Sequence, residues 1–174
     1  MDLLNQIPNN RSGIITIYCN TYQNNKKVGT TKSTTLTATA PYDLCYPTMT
    51  GLIYDINDTT LALTGNRSKL IRYHSTVKVE TTPTGKYGAT IASMVIKNGS
   101  KTIEGNSGVI DKPETQAFNF TITDSRGYAR TYTSYPDMID YINISCYIGT
   151  ERPTADGKYN FTVRGNYYNS SFGA

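Results

Sequence analysis

The sequence predicts an all-β protein in which many short strands pack as β-sandwiches. β-Branched residues and 15 tyrosines are spread through a Thr-rich chain of 174 residues with 14 glycines, a composition typical of strands joined by turns. No window of about 15 residues has a sustained helical period, so we expect almost no helix. Turn sequences also recur at the spacing of a sandwich, and not at that of alternating strands and helices.

The clearest segment of the chain is 117–134, where apolar and polar residues alternate and predict a half-buried strand. The apolar residues of that strand are Phe118, Phe120 and Ile122. Asp124 and Arg126 are expected to lock the following turn through backbone and charge-assisted hydrogen bonds, with ligand binding as the less favoured alternative. Gly127 supplies the positive φ that the turn needs. Residues 128–133 alternate again and are expected to return as the hairpin partner.

Proline-bounded junctions divide the chain into three segments. Residues 1–41 contain two predicted strands, residues 42–136 are long enough for one sandwich of about seven strands, and residues 137–174 contain strands of a further unit. Two strands cannot bury a core alone. The end segments therefore either pack together in one composite sheet or complete neighbouring modules, and the sequence does not choose between these alternatives.

The predicted strands lie between turn sequences that contain glycine, asparagine or proline. The outer strands are 13–19, 33–40, 137–147 and 159–168, with residues 20–31 as a polar connection and residues 151–158 as a turn. The central strands are 50–56, 70–79, 89–97, 101–105, 114–123 and 128–134. The dipeptide Asn98-Gly99 favours a tight two-residue hairpin between the third and fourth of these central strands.

Three stretches of the sequence resemble one known class of module. They are residues 117–128, residues 165–174 and residues 10–41, the last with two strands around a polar loop that contains Lys27-Val28-Gly29-Thr30. Taken together in their order along the chain, these stretches resemble the immunoglobulin-like modules of minor tail proteins of long-tailed phages that infect Gram-positive bacteria. Those minor tail proteins have structural or host-adhesion roles. The resemblance implies immunoglobulin-like β-sandwich modules in tandem, in a virion tail protein that spaces or presents host-adhesion parts. It also implies neighbouring modules or other tail proteins as partners.

Charge and targeting signals exclude several function classes. The net charge is +4 and the pI is about 8.9, but Lys26-Lys27 is the only adjacent basic pair and no nucleic-acid-binding motif occurs. The N-terminus lacks a basic and apolar signal sequence, and no later run approaches membrane-spanning length. We therefore expect synthesis in the host cytoplasm, no membrane insertion and no nucleic-acid partner.

The three cysteines cannot all pair within one chain. Cys19 and Cys146 each end an alternating apolar run, so we predict that both are small buried hydrophobes, and Cys45 lies between two prolines. No CxxC motif occurs, and one histidine is too few for a Cys/His metal cluster. This pattern favours folding in a reducing cytoplasm.

Catalytic and metal motifs are incomplete in this sequence. The run Gly105-Asn106-Ser107-Gly108 is similar to the nucleophile loop of chymotrypsin-like proteases, but His74 is the only histidine and no aspartate lies between it and Ser107. We instead predict that Ser107 and its neighbouring glycines form a turn before Val109 and Ile110. Residues 55–58 are similar to the start of a calcium-binding loop, but they lack the glycine and the distal glutamate of an EF-hand. Most other carboxylates fall at strand ends or in turns. We predict no catalytic residue, no metal and no cofactor.

Tyrosine is the residue type that best suits a binding surface, because it presents a flat apolar face with a polar tip. The candidate surface contacts are Tyr128, Tyr132, Tyr135, Tyr167 and Tyr168. Most tyrosines of β-sandwiches instead fill sheet faces. We predict a non-enzymatic tail module, with a carbohydrate-binding or bacterial surface adhesin domain as the alternative. Host cell-wall carbohydrate would then be a partner, and exposed tyrosines that form a groove would favour this alternative.

Overall fold

The chain is mostly β, as its composition predicts. A computed structural model describes residues 3–141, 143–150, 155, 157, 161–168 and 170–172. It contains 57% strand and 9% helix, in several small and mainly antiparallel sheets, which confirms the predicted predominance of strands. No helix in the described part of the chain is long and apolar enough to cross a membrane.

The strands and helices have the following bounds. The strands are β1 (Ser12–Gln23), β2 (Lys26–Thr39), β3 (Thr48–Asp55), β4 (Lys69–Ile71), β5 (Thr76–Thr84), β6 (Ile91–Asn98), β7 (Lys101–Glu104), β8 (Ser107–Asp111), β9 (Phe118–Asp124), β10 (Ala129–Ser134), β11 (Asp137–Ile139), β12 (Ser145–Thr150) and β13 (Phe161–Asn166). The helices are α1 (Tyr42–Cys45) and α2 (Asp58–Thr64), and a short 3-10 helix spans Leu3–Gln6.

The middle of the chain forms two sheets that share one hydrophobic core, which we call the central core. One sheet has the order β3-β5-β8 and the other the order β10-β9-β6-β7. The buried core residues come from both sheets and from β4: Leu70, Val77, Val79, Met94, Ile96, Ile110, Phe118, Phe120 and Ile122. The prediction that the apolar face of β9 is buried is therefore confirmed, because all three of its apolar side chains belong to this cluster.

A tight hairpin joins β6 to β7, as the Asn98-Gly99 dipeptide predicts. Asn98 pairs with Lys101, so the two loop residues are Gly99, with φ of 57°, and Ser100. Asn98 itself is buried, and its amide holds the loop between β8 and β9. Its Nδ2 donates to the carbonyl oxygens of Thr115 at 2.6 Å and Ala117 at 3.1 Å, and its Oδ1 accepts from the Glu114 amide at 2.7 Å.

Three predicted segment assignments are wrong. The single strand predicted at 137–147 is interrupted, because β11 ends at Ile139 and β12 begins at Ser145. The single strand predicted at 70–79 is two strands, β4 and β5, separated by a turn in which Tyr73 has φ of 60°. The polar connection predicted at 20–31 is mostly strand, because β1 and β2 extend to a turn at Asn24 and Asn25, which both have positive φ. Two strands that are exposed to solvent can pair without an apolar face along their whole length. The polar residues at 20–31 therefore did not end β1 and β2.

Helix α2 and strand β8 were not predicted. The helix has ordinary end signals, because Asn57 caps its N-terminus and Gly65 ends it in the left-handed conformation with φ of 62°. Seven residues are too few to show a helical period. The start of β8 at Ser107-Gly108 was predicted as a turn, but these residues pair with Glu80 and Val79 of β5.

Both ends of the described chain form separate two-stranded antiparallel sheets. We call β1–β2 the N-terminal ribbon and β12–β13 the C-terminal ribbon. The described side chains of both ribbons are largely exposed. The predicted burial of Cys19 and Cys146 is therefore wrong, because each lies on a ribbon that no other sheet of the described residues covers, whereas Cys45 is buried.

Candidate functional site

A cavity of about 670 Å³ lies between α2, the turn that joins β4 to β5, and the chain around β12 and β13. We call it the aromatic pocket because rings form much of its wall. The ring-bearing lining residues are His74, Tyr141, Tyr167, Tyr168 and Phe172. The remaining lining residues are Asn57, Thr59, Thr60, Leu63, Ile71, Asn143 and Ile144.

Four of the rings form a connected cluster centred on Tyr141. Its ring centroid lies 5.0 Å from that of His74 in an edge-to-face arrangement, with an angle of 79° between the ring planes. Tyr141 also lies 5.7 Å from Tyr168 and 5.7 Å from Phe172, and the latter two rings are 4.8 Å apart. These separations fall in the range of favourable aromatic pairs. The fifth ring, that of Tyr167, is 73% exposed.

A further part of the pocket wall is built on the N-terminus of α2. The side-chain oxygen of Asn57 accepts from the backbone N–H groups of Thr59 at 2.9 Å and Thr60 at 3.4 Å. Its Nδ2 donates to the His74 carbonyl oxygen at 3.3 Å. One asparagine therefore caps the helix and connects it to the turn that carries the histidine ring.

Asp55 supports the same wall from inside the protein, where it is completely buried. Its Oδ1 accepts from the Asn57 amide at 3.0 Å and the Thr76 amide at 3.2 Å. Its Oδ2 accepts from the hydroxyl groups of Thr60 at 2.5 Å and Ser75 at 2.6 Å. Four donors thus surround the carboxylate, which is the arrangement that a buried charge requires. They hold the start of α2 against the turn between β4 and β5.

The hydrogen bonds of Asp55 and Asn57 lie in segment 55–58, whose sequence is similar to that of a calcium-binding loop. Both carboxylate oxygens of Asp55 and the side-chain oxygen of Asn57 already accept hydrogen bonds from the protein. Among the described residues, no group of three or more His, Cys, Asp or Glu side chains lies close enough to hold a metal ion. The geometry of this segment is that of a structural network.

The turn between β9 and β10 contains the three residues for which sequence predicts a locking role. Asp124 Oδ1 accepts from the backbone N–H groups of Arg126 at 3.0 Å and Tyr128 at 2.8 Å, and Gly127 has φ of 78°. The side chains of Asp124 and Arg126 are both buried, and Arg126 Nη1 lies 3.8 Å from Asp124 Oδ2. A buried carboxylate and a guanidinium therefore face each other within the turn.

Arg126 also connects distant parts of the chain. Its guanidinium donates to four backbone carbonyl oxygens, those of Leu4 at 3.0 Å, Ile7 at 3.0 Å, Lys86 at 2.8 Å and Tyr87 at 2.7 Å. The first two belong to the segment that precedes the N-terminal ribbon, and the other two to the loop between β5 and β6. One side chain thus tethers the base of the ribbon to the central core.

Arg11 makes a reciprocal contact at the same junction. Its Nε donates to the Arg126 carbonyl oxygen at 3.1 Å, and its Nη2 donates to that of Gly127. Its guanidinium lies 4.8 Å from the centre of the Tyr128 ring, within the range of a cation–π contact. Sequence reasoning did not find Arg11, because its partners lie more than 110 residues further along the chain.

The tyrosine cluster on β10 lies mostly against the chain segment that leads from the N-terminal ribbon into β3. The Tyr128 hydroxyl donates to the Ala40 carbonyl oxygen at 2.5 Å, and the Tyr132 hydroxyl donates to that of Pro47 at 2.9 Å. Burial raises the pKa of Tyr132 above its ordinary value of 10.0. Tyr135, by contrast, is 67% exposed. The cluster therefore does not form one continuous exposed platform.

The structure thus places four of the five candidate tyrosines in two regions, and the fifth, Tyr135, lies in neither of them. Tyr167 and Tyr168 line the aromatic pocket, whereas Tyr128 and Tyr132 belong to the junction with the N-terminal ribbon. The other ring-bearing residues of the pocket were not singled out from the sequence as binding residues. No local pattern marks them, because they come from three separated stretches of chain that only the fold brings together.

Comparison with known protein families identifies the group to which the chain belongs. Residues 1–159 match the family described as siphovirus protein of unknown function, DUF859. The chain belongs to this siphovirus family. The match confirms the phage origin that the sequence resemblance implies. It covers the lining residues of the aromatic pocket from Asn57 to Ile144, but not Tyr167, Tyr168 and Phe172. No curated protein and no solved structure matches the chain.

Proposed function

We propose that this siphovirus protein is a non-enzymatic structural module of the phage tail or tail tip, which spaces or presents host-adhesion parts. The observation that carries the proposal is the junction at Arg126, where one buried guanidinium joins the base of the N-terminal ribbon to the central core through four carbonyl oxygens. Such a junction restricts bending between neighbouring units of a rod.

The proposed fold of the central core is an immunoglobulin-like sandwich. Seven strands contribute to its two sheets, three in one and four in the other. The chain enters the first sheet with β3 and β5, crosses to the second with β6 and β7, returns with β8, and finishes with β9 and β10. Crossing between two sheets that share a core in this way supports the Greek-key connectivity of that fold.

Further contacts support a stiff connection between the N-terminal ribbon and the central core. The backbone N–H of Ala40 donates to the Arg11 carbonyl oxygen at 2.8 Å, which closes the base of the ribbon. The Ser125 hydroxyl donates to the Pro8 carbonyl oxygen at 2.7 Å, and the Tyr42 hydroxyl donates to that of Ala129 at 2.9 Å. Both chain segments that flank the ribbon are therefore attached to the β9–β10 hairpin.

The two ribbons supply the proposed contacts to neighbouring modules or other tail proteins. On the N-terminal ribbon, Ile15, Ile17 and Cys19 share one face, and Leu36 lies opposite Ile15. On the C-terminal ribbon, the apolar face consists of Cys146, Ile148, Phe161 and Val163. Apart from Ile15, the isoleucines, leucine, valine and phenylalanine of these two faces are between 50% and 66% exposed. Two-stranded ribbons are marginally stable alone, so a covering partner would stabilise both.

Cysteine labelling tests this role, because Cys19 and Cys146 each lie on one of the two apolar faces. In the purified chain, both thiols should react quickly with a maleimide reagent, and Cys45 should react only after denaturation. In intact phage particles, protection of Cys19 and Cys146 by about tenfold or more would support the proposed contacts.

The matched control is the same labelling on phage tails dissociated in mild denaturant. Labelling of both ribbon cysteines in intact particles at the rate of the purified chain would contradict the assembly role. Absence of the protein from purified particles by mass spectrometry would contradict the proposed tail location itself.

A further inference from the structure

We propose that the aromatic pocket binds a neutral saccharide. This inference goes beyond the structural role, because it assigns a ligand to the cavity between α2 and the chain around the C-terminal ribbon. The volume of about 670 Å³ lies within the range of small-molecule sites and would hold one or two sugar rings.

The first argument is the arrangement of aromatic rings. Tyr141, Tyr168 and Phe172 are half-buried and form one contiguous wall, with centroid separations between 4.8 and 5.7 Å. Tyr167 lines the same cavity but is 73% exposed. Sugars present flat C–H faces that pack on such rings, and tyrosine supplies this contact at low entropic cost. An exposed ring beside a half-buried cluster is suited to a ligand that enters from solvent.

The second argument is that the pocket offers polar groups that the protein does not use. The side chains of Thr59 and Asn143 are exposed at its lining and make no hydrogen bond within the described part of the chain. A hydroxyl group and a carboxamide provide both donors and acceptors. These groups match the hydroxyl and acetamido groups of a sugar, and they would fix its orientation against the rings.

The third argument is charge. The described lining residues include no carboxylate, ammonium or guanidinium group. Arg72 and Asp140 adjoin the lining residues Ile71 and Tyr141 in sequence, and they form an ion pair with 2.9 Å between Nε and Oδ1. The described lining therefore offers no lysine or arginine side chain that could pair with an anionic polymer. We therefore infer a neutral sugar, and not a phosphate-containing wall polymer.

The fourth argument is that one wall of the pocket is preorganised. The Asp55 carboxylate and the Asn57 cap hold the start of α2 and the turn of His74 in one geometry through seven hydrogen bonds. A wall that is already ordered loses little entropy on binding. Affinity for a single sugar of this size would be weak, and many copies in a phage particle would multiply it.

Saturation-transfer NMR on the purified chain provides the direct test. The probes are glucose, galactose, N-acetylglucosamine and their neutral disaccharides, with glycerol phosphate and N-acetylneuraminic acid as the anionic arm. We expect at least one neutral sugar to bind with a Kd of about 1 mM, and the anionic probes to bind more weakly.

Two substitutions localise the binding. Tyr167→Ala and Asn143→Ala should each weaken it by about tenfold, which is about 1.4 kcal/mol. Both side chains are exposed, so both variants are expected to fold, and an unchanged Tm checks this. Tyr135→Ala is the matched control, because that ring is 67% exposed and lies outside the pocket.

Three results would overturn the inference. They are no saturation transfer to any neutral sugar at about 10 mM, stronger binding of the anionic probes, and equal effects of Tyr167→Ala and Tyr135→Ala. None of them bears on the tail role, which the cysteine labelling tests separately on intact particles.

Discussion

The central core and the terminal ribbons use the same alternation of apolar and polar residues, but they differ in what covers the apolar face. In β9 the alternate residues Phe118, Phe120 and Ile122 are buried between two sheets. In β1 the equivalent pattern leaves Ile17 50% exposed and Cys19 exposed. Alternation therefore indicates that a strand has an apolar face, but not whether that face is covered within the same chain.

This difference explains why the two regions suit different tasks. The central core buries its own apolar surface and can provide a stable body. The ribbons present apolar faces together with free strand edges, which are the features that pair with other chains. The buried guanidinium of Arg126 connects the two regions, so the orientation of the N-terminal ribbon follows that of the core.

The largest expected effect is that of Phe120→Ala in the central core. Phe120 is 2% exposed, and removal of its ring should lower the free energy of unfolding by about 3 to 5 kcal/mol, because the cavity cannot collapse completely. Urea denaturation measures this loss. Leu36→Ala on the N-terminal ribbon is the control and should cost less than about 1 kcal/mol in the isolated chain. Equal losses would mean that the ribbon is covered as fully as the core.

A second substitution tests the connection between the regions. Arg126→Met should lower the free energy of unfolding by about 3 kcal/mol, because it leaves the Asp124 carboxylate buried without its cation and four carbonyl oxygens without a donor. Hydrogen exchange should also become faster in residues 4–8.

The control for this substitution is Arg164→Met, which removes the same charge from an exposed position of the C-terminal ribbon. It should change stability by less than about 0.5 kcal/mol. Unchanged exchange in residues 4–8 of Arg126→Met would show that other contacts hold the N-terminal segment.

Local signals in the sequence predicted one part of the fold well. The pattern of β9 and the Asn98-Gly99 dipeptide predicted a buried strand and a tight hairpin, because each depends on residues that are close in sequence. The break between β4 and β5 was missed, since a positive φ at Tyr73 has no local signature. The exposure of Cys19 was missed because it depends on the absence of a covering layer.

The candidate site was only partly predictable for the same reason. Tyr167 and Tyr168 were expected to form surface contacts, but their neighbours Tyr141, Phe172 and His74 come from different stretches of chain. Their common location depends on tertiary packing. The carbonyl partners of the Arg126 side chain likewise lie about 40 and 120 residues away, beyond any turn or strand pattern.

A third prediction concerns the wall of the pocket. Asp55→Asn should lower the free energy of unfolding by about 2 kcal/mol, because an amide nitrogen replaces one of two oxygens that accept hydrogen bonds inside the protein. Faster hydrogen exchange in α2 would locate the loss. Asp58→Asn, at an exposed position of the same helix, should cost less than about 1 kcal/mol. If both variants behave alike, the buried network does not hold the helix.

The smallest expected effect concerns the contact between Ser100 and Glu114 at the edge of the central core. These residues are accessible, as the ribbon side chains are, but hydrogen bonds fix their geometry. The Ser100 hydroxyl and amide donate to the Glu114 carboxylate, both at 2.6 Å, and lower its pKa from the ordinary value of 4.5. A lowered pKa in the folded state means that this contribution to stability is complete above pH 4.5 and disappears as the pH falls through the folded value. Glu114→Gln should therefore flatten the pH dependence of urea unfolding below that pH. If the pH dependence of urea unfolding does not change, the hydrogen bonds between Ser100 and Glu114 do not order this loop in water, and the loop then behaves like the exposed ribbons.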